Sequence, residues 1–95
     1  MIVLLTGEVS YHGVGFAIVV NGGIGYKVIL PEDHAHQMHG HVTIYTHEVI
    51  RENERELFGF LAVEALELFW KLVSVSGVGP RTAQKIVFSN QTDKV

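Results

Sequence analysis

The sequence predicts a mainly β protein with an α-helical end: a small closed barrel of five strands, followed by two helices joined by a tight turn. Two observations support this prediction. Residues 1–60 contain short segments rich in β-branched and aromatic residues, separated by glycine-rich or charged turns. After residue 61 the hydrophobic period changes from that of a strand to that of a helix.

Five strands are predicted in residues 1–61, with short connections between most of them. They cover residues 2–10, 16–20, 26–30, 41–50 and 56–61. Asn21, Gly22 and Gly23 separate the second strand from the third and are typical of a tight hairpin, because these residues tolerate positive φ. Five short antiparallel strands favour a closed barrel, which leaves no open edge. Residues 1–61 are therefore predicted to form a barrel domain.

The helical unit is predicted for residues 62–95. Between residues 62 and 75, Glu64, Glu67 and Lys71 recur on one helical face, whereas Phe69 and Trp70 belong to the opposite, apolar face. We expect both aromatic side chains to be core residues. In the second helix, Ala83, Ile86 and Val87 are expected to form the buried stripe.

The turn between these helices has the strongest functional signal in the chain. Gly77 and Gly79 permit a sharp turn, Val78 is expected to point between the helices, and Arg81 and Lys85 share the exposed face of the second helix. Free N–H groups at a helix start favour an anion. The spacing fits the helix-hairpin-helix pattern of proteins that hold DNA phosphates without reading sequence. We therefore predict that these five residues bind DNA phosphate; the alternative is a structural turn that binds nothing.

Charge is distributed unevenly along the chain, whose formal net charge is −3. Through residue 70 there are three basic residues and nine acidic ones, whereas from Lys71 onward there are four basic residues and one acidic one. We therefore expect any polyanion to contact the C-terminal end.

A histidine-rich tract between the third and fourth strands is the main competing signal. His34, His36, His39 and His41 lie close together in sequence, and imidazoles at such spacings can share a transition-metal ion. We interpret the tract as a solvated loop, because no spacing fixes a coordination geometry. A structural oligomerisation module or a metal-binding module remains the alternative function.

Composition excludes several other classes. Without cysteine there is neither a disulfide scaffold nor a cysteine-based zinc site. No apolar run approaches the ~20 residues of a membrane span. We read the apolar opening as a strand and not as a signal peptide. No nucleophile elbow, P-loop or other catalytic motif is present. We expect a cytoplasmic protein that is not an enzyme and has no cofactor and no membrane partner.

Several segments in order resemble the RuvA family: "NGGIGYKV", "YTHEVIRENERELFGF" and "ELFWKLVSVSGVGPRTA". The resemblance covers residues 1 to about 87. It implies an OB-fold barrel followed by helix-hairpin-helix units, in a homotetramer that binds four-way junction DNA. In this family a partner ATPase, RuvB, is the motor.

The resemblance also implies an acidic pin in the turn before the last barrel strand, where like-charge repulsion keeps DNA strands apart. The matching positions are Glu52 and Asn53, so the second acid of the pair is replaced by an amide. Leu4 and Thr6 stand where the family usually has arginine. Without the resemblance, "RENERE" would read as a solvated turn.

Family members continue into a second helix-hairpin-helix and a C-terminal domain that binds the ATPase. These 95 residues contain neither segment. We therefore expect this chain to bind DNA weakly, because few phosphates are neutralised, and not to recruit the motor.

Overall fold

The computed structural model describes residues 1–75 and 77–92. In chain order the elements are β1 Leu4–Gly13, β2 Phe16–Asn21, β3 Ile24–Ile29, α1 Glu32–His36, β4 His41–Arg51, β5 Glu54–Phe60, α2 Val63–Val75 and α3 Pro80–Thr92. Within the described ranges, no helix combines the length and the apolarity that crossing a bilayer requires.

The five strands close into a barrel in the order β1-β2-β3-β5-β4, and β1 pairs with β4 to complete it. One pair is parallel: Val28 and Ile29 of β3 pair with Leu57 and Phe58 of β5. The prediction of five antiparallel strands was therefore wrong at this seam. After β3 the chain does not form a hairpin with its neighbour, because β4 pairs with β1. Strand β5 is antiparallel to β4 and therefore runs beside β3 in the same direction.

A short helix, α1, occupies part of the tract that the sequence analysis interpreted as a loop. Ala35 of this helix is fully buried, and the N–H groups of His34 and Ala35 both donate to the carbonyl of Pro31. Proline at the start suits a helix because it has no N–H to leave unpaired. A helix of five residues is too short to show hydrophobic periodicity, so the pattern could not predict it.

The barrel and the two long helices share one hydrophobic core. Phe60 at the end of β5 is fully buried, and its ring centroid lies 4.8 Å from that of Phe69 on α2 and 6.0 Å from that of Phe88 on α3. The connection between β5 and α2 is only residues 61–62. The helices are therefore held in a fixed position against the barrel by aromatic packing.

Two predicted core positions are more exposed than expected. Ile86 is 42% exposed, and Phe88 lies in the core together with Ala83 and Val87. Trp70 is 36% exposed, whereas its neighbour Phe69 is fully buried. Ala83 and Val87 are thus buried as predicted, and Phe88 takes the place of Ile86 in the core stripe of α3, because the barrel end presents Phe60 to Phe88.

Candidate nucleic-acid interface

The turn between α2 and α3 has the backbone geometry that its glycines predict. Helix α2 ends at Val75, and Gly77 has a φ of +68°, a left-handed conformation that favours glycine. Helix α3 begins at Pro80, and the N–H of Ala83 donates to the carbonyl of Gly79 at 2.9 Å. A Cβ added at Gly77 or Gly79 would meet no atom within 4 Å. The outer side of the turn is therefore open to a ligand.

The start of α3 presents its amide groups at this open side. The N–H groups of Arg81 and Thr82 lie in the first turn, where no carbonyl of the same helix is available to them. Val78 is half-buried and packs against the core, as predicted. The apolar residue thus anchors the turn while the helix start faces outward, which is an arrangement that suits an anion.

Arg81 makes an ion pair that the sequence analysis did not predict. Its Nη2 lies 3.0 Å from Oε2 of Glu56 on β5, and its guanidinium lies 5.7 Å from the ring centroid of Phe58. Oε1 of Glu56 also accepts a hydrogen bond of 2.9 Å from Nη1 of Arg51. Arg81 is therefore drawn toward the barrel and its charge is already partly neutralised.

Lys85, the other basic side chain of the hairpin, borders a cleft between α3 and the barrel. This cleft, of ≈ 340 Å³, is lined by Lys27, Arg81 and Lys85 together with Phe16 and Ile29. The sequence assigned no role to Lys27, because it lies on β3 and outside the helix-hairpin-helix pattern. The strand order brings it to the hairpin.

Gln84 fixes the position of α3 on the barrel. Its buried side-chain Nε2 donates to the carbonyl of Ile29 at 2.8 Å and to that of Gly59 at 3.0 Å. These carbonyls belong to β3 and β5, whose parallel pairing covers only two residue pairs. Gln84 therefore extends the bonding of the two strands where their own ladder ends, and the sequence analysis missed this role.

The turn between β4 and β5 consists of Glu52 and Asn53, and both side chains are exposed. Arg51 and Glu54 face each other as the last pair of the ladder. At about 3.3 Å per residue, β5 carries the chain ~20 Å from this turn to the helices. The charged turn thus lies at the opposite end of β5 from the start of α2, and Glu56 links Arg51 beside the turn to Arg81 of the hairpin.

The structure gives the histidines of the tract separate neighbours. His34 lies 4.4 Å from Phe88 and His36 lies 5.2 Å from His12, measured between ring centroids. Nδ1 of His39 is 3.0 Å from the carbonyl of Gln37, and Nδ1 of His41 is 3.1 Å from a Glu8 carboxylate. Within residues 1–75 and 77–92, no three potential ligands are grouped so that they could hold a metal ion.

His47 is a titratable group whose environment is clearly perturbed. It lies on β4, where its Nδ1 accepts a hydrogen bond of 3.0 Å from Nε1–H of Trp70. Burial lowers the pKa of His47 from its ordinary value of 6.5, because desolvation penalises the charged imidazolium. The neutral ring therefore joins the barrel to α2.

Comparisons with known proteins agree with this architecture. Residues 1–59 match the family described as the RuvA N terminal domain. The chain is similar to proteins named Holliday junction branch migration complex subunit RuvA. The one from Lactobacillus gasseri is 38% identical over 91 residues, covering 96% of this chain and 47% of the relative. The one from Exiguobacterium is 38% identical over 94 residues, covering 98% and 48%.

A third relative of the same name, from Acholeplasma laidlawii, is 40% identical over 78 residues, or 82% of this chain and 42% of its own length. The chain thus spans about half the length of the curated relatives it matches. The match confirms the predicted barrel and the resemblance on which the OB-fold prediction rested. This chain belongs to the RuvA family.

Proposed function

We propose that this chain binds four-way DNA junctions as a scaffold subunit of a branch-migration complex, without catalytic activity of its own. The observation that carries the proposal is the hairpin: two helices joined by Gly77 and Gly79, with the start of α3 open and fixed to an OB-type barrel. Family membership adds the junction, because the relatives are named for it.

In this proposal the hairpin holds the DNA backbone. The amides at Gly79 and Arg81 and the dipole of α3 attract a phosphate, while Val78 keeps the turn rigid by packing inward. Lys85 contributes charge beside the phosphate, and Arg81 contributes in part, since it shares its charge with Glu56. Such contacts fix the position of the backbone and read no sequence.

The turn of Glu52 and Asn53 is proposed to act as the acidic pin. It is exposed at the end of β4 and β5, and Glu54 at the start of β5 adds a second exposed carboxylate. In a fourfold assembly, four copies of Glu52 would lie together and repel the phosphates of strands at the junction centre. This effect is electrostatic and requires no chemistry.

The homotetramer and the partnership with a RuvB-type ATPase are also proposals. The matched relatives are subunits of a branch-migration complex by name, and this chain aligns with about half of their length. We propose that residues 1–61 and 62–95 form the barrel and helical units that assemble around the junction. The ATPase would bind a C-terminal domain outside these 95 residues.

Fluorescence anisotropy tests the proposal with a labelled four-way junction and a linear duplex of equal length. We expect tighter binding of the junction, and Lys85→Gln should weaken binding to both DNAs and lower the salt slope by about 0.9 for each engaged subunit. Lys71→Gln, an exposed lysine of α2, is the matched control. Equal affinity for junction and duplex would refute the junction-binding role, and light scattering of the same sample would test the tetramer.

A further inference from the structure

The cleft between α3 and the outer face of β2 and β3 combines an apolar floor with a basic rim. Phe16, Ile29 and Leu30 are among the apolar residues that line it, and Lys27 and Lys85 stand at its edge. Lys85 belongs to the hairpin described above, whereas Lys27 belongs to the barrel. The cleft therefore continues the surface of the hairpin onto β3.

The ammonium group of Lys27 has a defined place in this cleft. It lies 5.0 Å from the ring centroid of Phe16, within the range of a cation–π contact. The Phe16 ring lies across Gly13, where an added Cβ would be only 2.4 Å from its Cε1 atom. Because Gly13 leaves room for the ring, the ring can lie where it contacts the Lys27 ammonium.

Charge in the cleft is not balanced by the protein. Arg81 is paired with Glu56, but in the part of the chain that the structure describes no ion pair joins Lys27 or Lys85 to a carboxylate. Glu32 also lines the cleft, but its single negative charge is smaller than the combined positive charge of Lys27 and Lys85. The occupant that complements this surface is an anion with an apolar part beside it.

We propose that Lys27 is a phosphate-binding residue and that a DNA sugar-phosphate backbone passes from the hairpin through this cleft onto the barrel. Deoxyribose suits the apolar floor, and backbone phosphates suit the two lysines at the rim. The inference rests on the proposed function and extends it, because Lys27 is the main cation that acts with Lys85, whereas Arg81 shares its charge with Glu56. As at the hairpin, the contact reads no base sequence.

The test compares Lys27→Gln with Lys85→Gln and with the control Lys71→Gln. All three lysines are exposed, so far-UV circular dichroism should be unchanged. Junction affinity is measured by anisotropy at about 50 to 200 mM salt, a range that includes the physiological salt concentration. We expect Lys27→Gln to weaken binding about fivefold to tenfold at ~0.1 M salt and to lower the salt slope by about 0.9 per engaged subunit. Lys27→Arg should keep both the affinity and the salt slope of the unaltered chain.

The outcomes separate the two ideas. If Lys85→Gln weakens binding while Lys27→Gln behaves like Lys71→Gln, the cleft proposal is wrong and the hairpin proposal stands. If the unaltered chain binds no DNA, or Lys85→Gln has no effect, the proposed function itself is wrong. A loss with Lys27→Gln that Lys27→Arg fails to restore would also overturn the cleft proposal, because a phosphate contact needs only the charge.

Discussion

The two halves of strand β5 have opposite surroundings. Its first residues, Glu54 and Arg55, are exposed and adjoin the charged turn, whereas Phe58 and Phe60 are buried and their rings pack against Phe69 of α2. Glu56 lies between the two halves, with a side chain 16% exposed. Seven residues of one strand thus connect the two regions to which we assign DNA contacts.

The contrast shows where shape matters and where charge matters. In the exposed half, the Arg51–Glu54 ion pair joins two solvated side chains and stabilises the fold by about 0–1 kcal/mol, so Glu54 can change with little effect on folding, whereas Arg55 pairs with the buried carboxylate of Glu48. In the buried half, each ring contacts several neighbours and any change in volume alters the core. We therefore expect substitutions in the buried half to change stability, and those at Glu54 and in the adjoining turn to change mainly DNA binding.

The largest effect is expected from Phe60→Ala in the buried half. Removing a ring that contacts both Phe69 and Phe88 should lower the free energy of unfolding by about 3–5 kcal/mol. Urea unfolding followed by far-UV circular dichroism measures it, with Phe60→Leu as a milder variant. Ile50→Ala, at a position that is 66% exposed, is the control and should cost less than ~1 kcal/mol. A similar loss of unfolding free energy for Phe60→Ala and Ile50→Ala would contradict the difference between the buried and exposed halves.

The next effect concerns the hydrogen bonds that join the buried half of β5 to α3. Gln84→Leu leaves the carbonyls of Ile29 and Gly59 without their side-chain donor, which should lower the free energy of unfolding by about 1–3 kcal/mol. The same urea experiment measures it, and Lys85→Gln on the exposed face of α3 is the neighbouring control. An unchanged unfolding midpoint for Gln84→Leu would show that packing alone holds the helix.

Sequence reasoning predicted the regular part of this contrast well. Alternating strands, the helical period after residue 61 and the Gly77–Gly79 turn were readable because each is a local pattern. Gln84 and Glu56 were missed because their roles depend on which strands become neighbours. The parallel β3–β5 seam creates the environment of Gln84, and the approach of α3 to β5 creates that of Glu56; such long-range contacts leave no local period in the sequence.

The same limit applies to the candidate DNA interface. Lys85 and the glycines were predicted from spacing within one motif, whereas Lys27 reaches the same cleft only through the barrel topology. The ion pair that neutralises Arg81 was equally invisible, since Glu56 lies on another element. Local motifs thus predicted where the hairpin is, and tertiary structure decided which of its charges are available.

Glu56→Gln tests the boundary between the two halves. The substitution weakens the pairs with Arg51 and Arg81, so we expect a loss of about 1 kcal/mol in the free energy of unfolding. It also frees Arg81, which should tighten DNA binding by about threefold to eightfold at ~0.1 M salt. Anisotropy with Glu56→Gln, Arg81→Gln and the double variant measures the coupling. Glu64→Gln on α2 is the control for the loss of one charge, and an equal gain there would contradict a specific release of Arg81.

A smaller effect is expected at the exposed turn. Asn53→Asp restores the second acid of the family pattern and Glu52→Gln removes the first, yet both should change the free energy of unfolding by less than ~0.5 kcal/mol. Because like charges repel, Asn53→Asp should weaken junction binding at low salt and Glu52→Gln should strengthen it, each by roughly twofold to fivefold. Linear duplex is the control DNA. Equal changes for duplex and junction would argue against a pin at the junction centre.

The smallest effect is a pH dependence at the join between β4 and α2. Because burial lowers the pKa of His47 in the folded state, the unfolded chain binds the proton more readily. The stabilisation from neutral His47 is thus complete above about pH 6.5 and is lost as the pH falls through the lowered folded-state pKa. Protonation of Nδ1 would also place a second donor against Nε1–H of Trp70.

Urea unfolding at several pH values should therefore show a flatter pH dependence of the unfolding free energy for His47→Gln than for the unaltered chain. The exposed His39→Gln is the control variant and should keep the original slope. Parallel curves for all three proteins would mean that the His47–Trp70 contact tolerates the charge.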